Sequence, residues 1–356
     1  MKFRFNKEVS KILDNLVFPR MYFNLEEEMQ NEDETLRKAI KEDYNDFSEK
    51  MHSKLEPYKD EINQFYQKDI YSHYDFVNIL IHAYPIYEYS DIDTYFNDLM
   101  KEETNILKDK IIKALITMED SDDLTTKVFD ESNATQFINQ LKIDSSNKWN
   151  LFMMIQNPHQ HLEKYILLFK KIESFFESSY QNYENKCDEV GNDLAKRLSK
   201  NTNETFKKIT YDAISYEFNG GEFCDFYVSF VMPYTLRFIE SDICRMVWGL
   251  EMEYSFKKIH ELNEDKLAQR VKIFKALGDK TRYETLRLIA KGVSSIKNIA
   301  DELDVSSATI SYHINEFLTS GILFMSRDKN QKFGYIVDYK KLSEVFSDFK
   351  EDLNFK

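Results

Sequence analysis

Ile299–Leu323 reads IADELDVSSATISYHINEFLTSGIL, and the reading of this stretch decides the fold of the C-terminal quarter of the chain. Ile296, Ile299, Ala300 and Leu303 recur at i, i+3, i+4 and i+7, the spacing of a helix with one buried face. Ser295 stands where an N-cap belongs. Asp304–Val305 leaves room for only a tight turn, and Ser306 caps the next segment. Ile310, Ile314, Phe317 and Leu318 then predict a second helix over 307–320, ended by Gly321. Two short helices around a tight turn form a helix-turn-helix, whose second helix enters the DNA major groove.

Working outward, Lys266–Leu277 and Lys280–Ala290 read as two amphipathic helices, the first ended by Gly278 and the second capped by Asp279. Beyond Gly321, Ile322–Arg327 and Phe333–Asp338 alternate as two strands around the polar tip Asp328–Lys332, a hairpin placed as a wing. Lys341–Phe349 closes the unit with another helix. The outward positions of the recognition helix are read as Ser307, Ala308, Thr309, Ser311, Tyr312 and His313, with Ser306 at its cap. Hydroxyls suit phosphates and base edges, and small side chains let the backbone approach. Arg327, Lys329 and Lys332 on the wing would reach phosphates or the minor groove. Each of these residues is equally at home on a solvated helix face or hairpin tip, and their joint placement carries the reading.

The strings ALGDKTRYETLRLI, IADELDVSSATISYHINEFLTSGIL and the closing FGY together resemble the winged-helix domain of the arsenical-resistance-repressor (ArsR-type) family. The Asp-x-Thr-Arg step falls on Asp279, Thr281 and Arg282, and Ser-x-His-Ile falls on Ser311, His313 and Ile314. The resemblance implies dimerisation through Lys266–Leu277 and Lys341–Phe349, two half-sites roughly 34–36 Å apart, and Arg282 near the DNA backbone. Lys280 departs from the family's proline. No cysteine follows Cys244, so a thiolate metal site within this domain is excluded, and neither metal nor cofactor is expected.

The 356-residue chain carries a net charge of −14, which looks wrong for a DNA binder until it is divided. Lys266–Lys356 holds 16 Lys+Arg against 12 Asp+Glu, a balance of +4, so the preceding residues carry −18. An acidic body repels phosphate and helps aim a basic module at it. With only 8 Gly and 5 Pro the chain is poor in turn formers. The expected fold class is mainly α with small antiparallel β elements (α+β). The expected domains are a mostly helical sensor and dimerisation region over 1–262, with a small sheet near 210–250, and the winged helix-turn-helix over 265–356.

In the first region, Lys2–Phe5 alternates as a strand and Lys7–Val17 is helical. Ser90–Asp91 open a helix carrying Tyr95, Leu99, Ile106 and Ile111–Ile112, and 119–123 is an acidic break. Lys148–Gln156 is a short helix stopped by Asn157–Pro158. One long helix runs from His159 to about Lys200, its stripe serving an intrachain core or a dimer seam. Asp212–Phe218, Phe223–Tyr234 and Ile243–Leu250 read as antiparallel strands, the first two joined at 219–221. Phe175, Phe176, Phe226, Tyr227, Phe230, Tyr234 and Trp248 suit core packing or an apolar ligand pocket, so a small-molecule or protein effector is expected to act here. This region loosely resembles the helical regions that extended regulators of this type place before the winged helix.

The three cysteines, Cys187, Cys224 and Cys244, are an odd number without a disulfide or zinc rhythm, and no apolar run or signal core is present, so a cytoplasmic protein without membrane partners is expected. No phosphate loop, nucleophile elbow or HExxH occurs, and the carboxylate run Glu26–Glu28 reads as solvated or capping surface rather than an acid–base pair, so no enzyme is expected. The reading is a DNA-binding, homodimeric repressor; the alternative is a protein-interaction module whose winged helix no longer binds DNA.

Overall fold

The computed structural model describes residues 1–23, 38–66, 75–118, 145–216, 221–239, 243–293, 295–327 and 333–355, together with 135, 138, 139, 143 and 218. The acidic break at 119–123, the surface carboxylates at 26–28 and most of the turn at 219–221 lie outside them. The chain is mostly helical and folds around two apolar clusters, one drawn from Phe3 to Phe256 and one from Ile273 to Val345.

The first cluster is organised by α8 (Pro158–Lys200), a single helix of 43 residues. At about 1.5 Å per residue it is ~65 Å long. Leu162, Tyr165, Phe169, Ile172, Phe176, Leu194 and Leu198 are buried along it, so its stripe serves an intrachain core. Around it pack α1 (Lys7–Val17), α2 (Glu42–Leu55), α3 (Lys59–Tyr66), α4 (Phe76–Ala83), α5 (Ile92–Lys101), α6 (Thr104–Met118), α7 (Ser145–Gln156) and α9 (Thr202–Ile209). Gly191 lets the helix press onto strand β1 (Lys2–Phe5): a Cβ there would come within 2.6 Å of the Phe5 ring.

The single helix expected after Asp91 is two, α5 and α6. Glu102 turns the chain with an extended ψ of 144°. Its carboxylate takes hydrogen bonds from the Tyr84 hydroxyl at 3.1 Å and Lys110 at 2.8 Å, while its carbonyl lies 3.0 Å from His159 Nε2. These tertiary partners outweigh continuation of the apolar period.

The sheet also differs from expectation. Strands β1, β3 (Phe223–Ser229), β5 (Cys244–Gly249) and β4 (Leu236–Ile239) lie in the order β1-β3-β5-β4, with β1, β3 and β5 parallel and β4 antiparallel to β5. Met246, Val247 and Trp248 are buried on consecutive positions, so both faces of β5 are covered and it takes the centre. The segment expected to form a hairpin with β3 instead supplies β2 (Ile214–Ser215), which pairs parallel with β6 (Leu323–Arg327). Tyr211 and Asp212, both at positive φ, precede it.

Polar groups of α1 fix it to the end of β3. Val228 N–H donates to the Ser10 hydroxyl at 3.0 Å, Phe230 N–H donates to Asp14 at 3.0 Å, and the Ser229 hydroxyl also donates to Asp14. Burial pushes the Asp14 carboxyl up to about 7, against the pull of Ser229 and the Phe230 and Val231 amides. At the far end of α1, Arg20 makes a two-pronged pair with Asp75, at 2.6 and 2.8 Å, and Asp75 caps α4 through Asn78 N–H at 3.0 Å.

The second cluster comprises α11 (Lys266–Leu277), α12 (Lys280–Ala290), α13 (Ile296–Leu303), α14 (Ser307–Ser320), the antiparallel pair β6–β7 (Phe333–Val337) and α15 (Tyr339–Asp352). Helix α10 (Met252–Asn263) leads into it. Among the described residues no helix is long and apolar enough to cross a membrane.

Asp14 sets a pH dependence with a definite sign. Its folded value of about 7 exceeds the unfolded 3.8, so the folded state holds a proton the unfolded state has lost. The group therefore costs stability progressively from about pH 4 to pH 7. Asp14→Asn should lack this slope. Its stability relative to wild type, measured by denaturant unfolding, should improve by about 2 kcal/mol between pH 5 and 7.5, whatever its offset.

Candidate nucleic-acid interface

Helices α13 and α14 are set by local chemistry that the sequence displays. The Ser295 hydroxyl accepts from Asn298 N–H, and α13 ends at Asp304, which adopts the left-handed conformation at φ 54°. Val305 N–H then returns to the Ala300 carbonyl at 3.1 Å. Ser306 caps α14 by accepting from Thr309 N–H at 3.1 Å, and the Ser306 and Thr309 hydroxyls bond each other at 2.8 Å. At the other end Gly321, at φ 79°, stops the helix, and Ile322 N–H reaches back to the Phe317 carbonyl.

The last carbonyls of a helix need outside partners. Here Asn263 donates to the Thr319 carbonyl at 2.9 Å and Gln269 donates to the Ser320 carbonyl at 3.0 Å. The C-terminal end of α14 is thereby held against α10 and α11.

Ile310, Ile314 and Phe317 are buried to 1% exposure or less and seat α14 in the second cluster. Ser307 and His313, expected to face outward, are buried too. The spacing explains both, since Ser307 lies three residues before Ile310 and His313 three after it and four before Phe317. Both nitrogens of the His313 ring lack a hydrogen-bond partner within the structure. Burial, then the Arg282 charge, holds its pKa below the ordinary histidine value.

The face turned away from the core carries Ala308, Ser311, Tyr312 and Asn315, at i, i+3, i+4 and i+7, with Thr309 beside them. Ala308 and Asn315 are exposed and the others half-buried. Asn315 lies in the third turn of α14, beyond the outward positions expected from Ser307 to His313. The same 3–4 spacing that assigns the core stripe would have included it. Its side-chain amide carries donors and an acceptor, the pattern that recognises adenine in the major groove.

Arg282 is an internal brace. Asp279 caps α12 by accepting from Arg282 N–H at 2.8 Å, and the Arg282 guanidinium pairs with Glu316 on α14 and approaches Asp279 at 3.8 Å. Its side chain is 16% exposed and that of Glu316 is 12% exposed. Burial opposes the Arg282 charge, and Glu316 and Asp279 more than compensate, so its pKa is raised. The place that the resemblance assigns to a phosphate is thus filled by two carboxylates of the same chain.

The β6–β7 pair has Leu323 opposite Val337 and Arg327 opposite Phe333. Its tip, with Lys329 and Lys332, lies outside the described residues, as does the side chain of Arg327. Among the described residues no group of three or more His, Cys, Asp or Glu is placed to hold a metal.

No family model matches the chain, and no solved structure matches it. Over 75 residues it is 39% identical to a protein of Methanocaldococcus jannaschii described as an uncharacterized HTH-type transcriptional regulator, a match that takes in 21% of this chain and 84% of that protein. With a helix, a tight left-handed turn and a second capped helix in place, and with that relative nearly spanned, the chain belongs to the HTH-type transcriptional regulators.

Proposed function

We propose that the protein is a homodimeric DNA-binding repressor of the ArsR type, in which 265–356 acts as a winged helix-turn-helix. The observation that carries this reading is the outward stripe Ala308, Ser311, Tyr312 and Asn315 on α14, with a small side chain and three hydrogen-bonding ones, opposite a stripe buried in the core. In this reading α14 enters the major groove, with Asn315, Ser311 and Thr309 at base edges and the capped N-terminus towards phosphate. The wing over 327–335 follows the adjacent backbone with Arg327, Lys329 and Lys332. Occupying a promoter site by such contacts would block it, hence repression, and work on the genome implies a cytoplasmic protein.

The dimer is supported by an apolar face. On α11, Leu267 and Val271 are 62% and 61% exposed one turn apart, and on α15 Phe346 is 47% exposed. The two helices are fastened to each other by Arg270, which reaches Asp348 at 3.0 Å and Asp352 at 2.8 Å, and by the Phe274 ring, which meets Phe346 edge to face and Phe349 at a tilt. Joined exposed apolar surface of this kind marks a contact site.

Selection from a randomised duplex library followed by gel shift tests the reading. A two-fold symmetric preferred site is expected; absence of any sequence-selective complex at moderate salt sinks it and leaves a protein-interaction module. Asn315→Ala and Ser311→Ala should alter the preferred bases. Arg282→Ala, by contrast, should lower folding stability by about 3 kcal/mol, because it strands the buried Glu316 carboxylate. Arg282→Met with Glu316→Leu should recover most of that loss. An Arg282→Ala protein of unchanged stability but uniformly weaker DNA binding would instead place this residue on phosphate.

Leu267→Glu with Val271→Glu should halve the mass measured by light scattering. It should also weaken binding to the symmetric site at least tenfold. A variant that stays dimeric would move the seam elsewhere.

A further inference from the structure

Away from the helix-turn-helix, Cys224 and Cys244 stand directly opposite each other on the adjacent parallel strands β3 and β5. Neighbouring strands lie about 4.7–4.9 Å apart, and a disulfide needs Cα atoms about 4.4–6.8 Å apart. Directly opposite residues project from the same face of a sheet, so the two thiols emerge side by side. Cys224 hydrogen-bonds Cys244, which brings the sulfurs within reach of each other. Both are thiols in this structure.

The register that pairs them is fixed by its surroundings. Six consecutive positions match, from Cys224 with Cys244 to Ser229 with Gly249. Asp225, next to Cys224, is held from the other neighbouring strand by Arg4 at 2.6 and 2.8 Å. At the far end Gly249 lies so close to Pro233 that a Cβ would collide with its backbone. A slip of one residue would turn one thiol to the opposite face, and these contacts forbid it.

The two sulfurs differ in access. Cys224 is fully buried, with Phe3 opposite it on one side and Cys244 on the other. Cys244 is half-buried at the start of β5. Its hydrogen bond, and then burial, push the Cys224 thiol far up, so Cys224 keeps its proton. A small reagent therefore meets Cys244 first, and Cys224 reacts only with a sulfur already beside it. Cys187 stands on α8 rather than on the sheet, and burial likewise keeps it protonated. Among the described residues no third His, Cys, Asp or Glu joins the pair to hold a metal. The chemistry that two adjacent thiols offer by themselves is oxidation to a disulfide.

We propose that Cys224 and Cys244 form a reversible redox site, closed to a cross-strand disulfide by low-molecular-weight disulfides. The Cys244 thiolate attacks one sulfur of the reagent. The reagent's S–S bond breaks, a mixed disulfide forms on Cys244, and one small thiolate leaves and takes up a proton. Cys224 then gives up its proton and attacks the Cys244 sulfur, releasing the second small thiol. Two protein thiols are oxidised by two electrons, and one reagent disulfide is reduced to two thiols. The site stands on its own geometry and does not depend on how the protein reads DNA.

The reduced full-length protein can be incubated with oxidised glutathione under native conditions, then denatured, labelled with iodoacetamide and mapped by mass spectrometry of its tryptic peptides. Arg237 lies between the two cysteines, so trypsin separates them. Label is expected on Cys187 alone, with the Cys224 and Cys244 peptides joined by a bond that dithiothreitol releases. Cys224→Ser should stall with one glutathione on Cys244, Cys244→Ser should leave Cys224 unmodified, and Cys187→Ser should oxidise as the wild type does. In the reduced native protein, iodoacetamide should reach Cys244 roughly tenfold or more faster than Cys224. Three labelled cysteines after oxidation, a lasting glutathione adduct on wild-type Cys244, a disulfide that includes Cys187, or one that joins two chains overturns the proposal. So does equal labelling of Cys224 and Cys244. These wild-type readouts decide the matter whether or not the serine variants fold.

Discussion

A 43-residue helix whose apolar stripe runs most of its length must be covered over that whole length, and the rest of the first cluster is arranged to cover it. The sheet lies over the C-terminal part through Phe5 and Gly191, and α3, α5, α6 and α7 cover the N-terminal part. Tyr165 shows how closely the cover is fitted. Its ring meets Phe65, Phe76 and Phe96, and its hydroxyl bonds Tyr66 at 3.0 Å, which in turn donates to the Leu16 carbonyl at 2.8 Å. Aromatic contacts supply area, and the hydroxyls find partners, which buried tyrosines require.

The same constraint explains why polar side chains go inside. A parallel strand ending in the core leaves backbone N–H groups with no neighbouring strand, and each would cost free energy if left unpaired. Ser10 and Asp14 on α1 take those of Val228 and Phe230. Burial raises the proton affinity of Asp14 as the consequence. Arg20 and Asp75 do similar work where α4 begins.

The two clusters are joined by strand β2. Ile214 and Ser215 pair with Met325 and Ser326 of β6, and Tyr216, next along, stacks on Phe238 of β4 at 4.2 Å. Met325 in turn packs against the first cluster. The hairpin after α14 is therefore tied by backbone hydrogen bonds to the body, which no hydrophobic pattern within either region announces.

Much of the C-terminal unit was legible from residues alone. Ser295, Asp279, Ser306 and Gly321 are caps, and capping depends on neighbours three or four residues away, so local sequence determines it. The 3.6-residue period of Ile310, Ile314 and Phe317 likewise determines which face of α14 is buried. Extending that period would also have put Ser307 and His313 inward and Asn315 outward. Other features were decided by partners far along the chain. Arg282 bonds Glu316, 34 positions away, and Glu102 breaks a helix because Tyr84, Lys110 and His159 hold it. Strand direction was the largest such decision. Alternating residues make a strand without saying which edge it joins, so the choice of β1 and β5 for β3, and of β6 for β2, came from which faces remained to be buried.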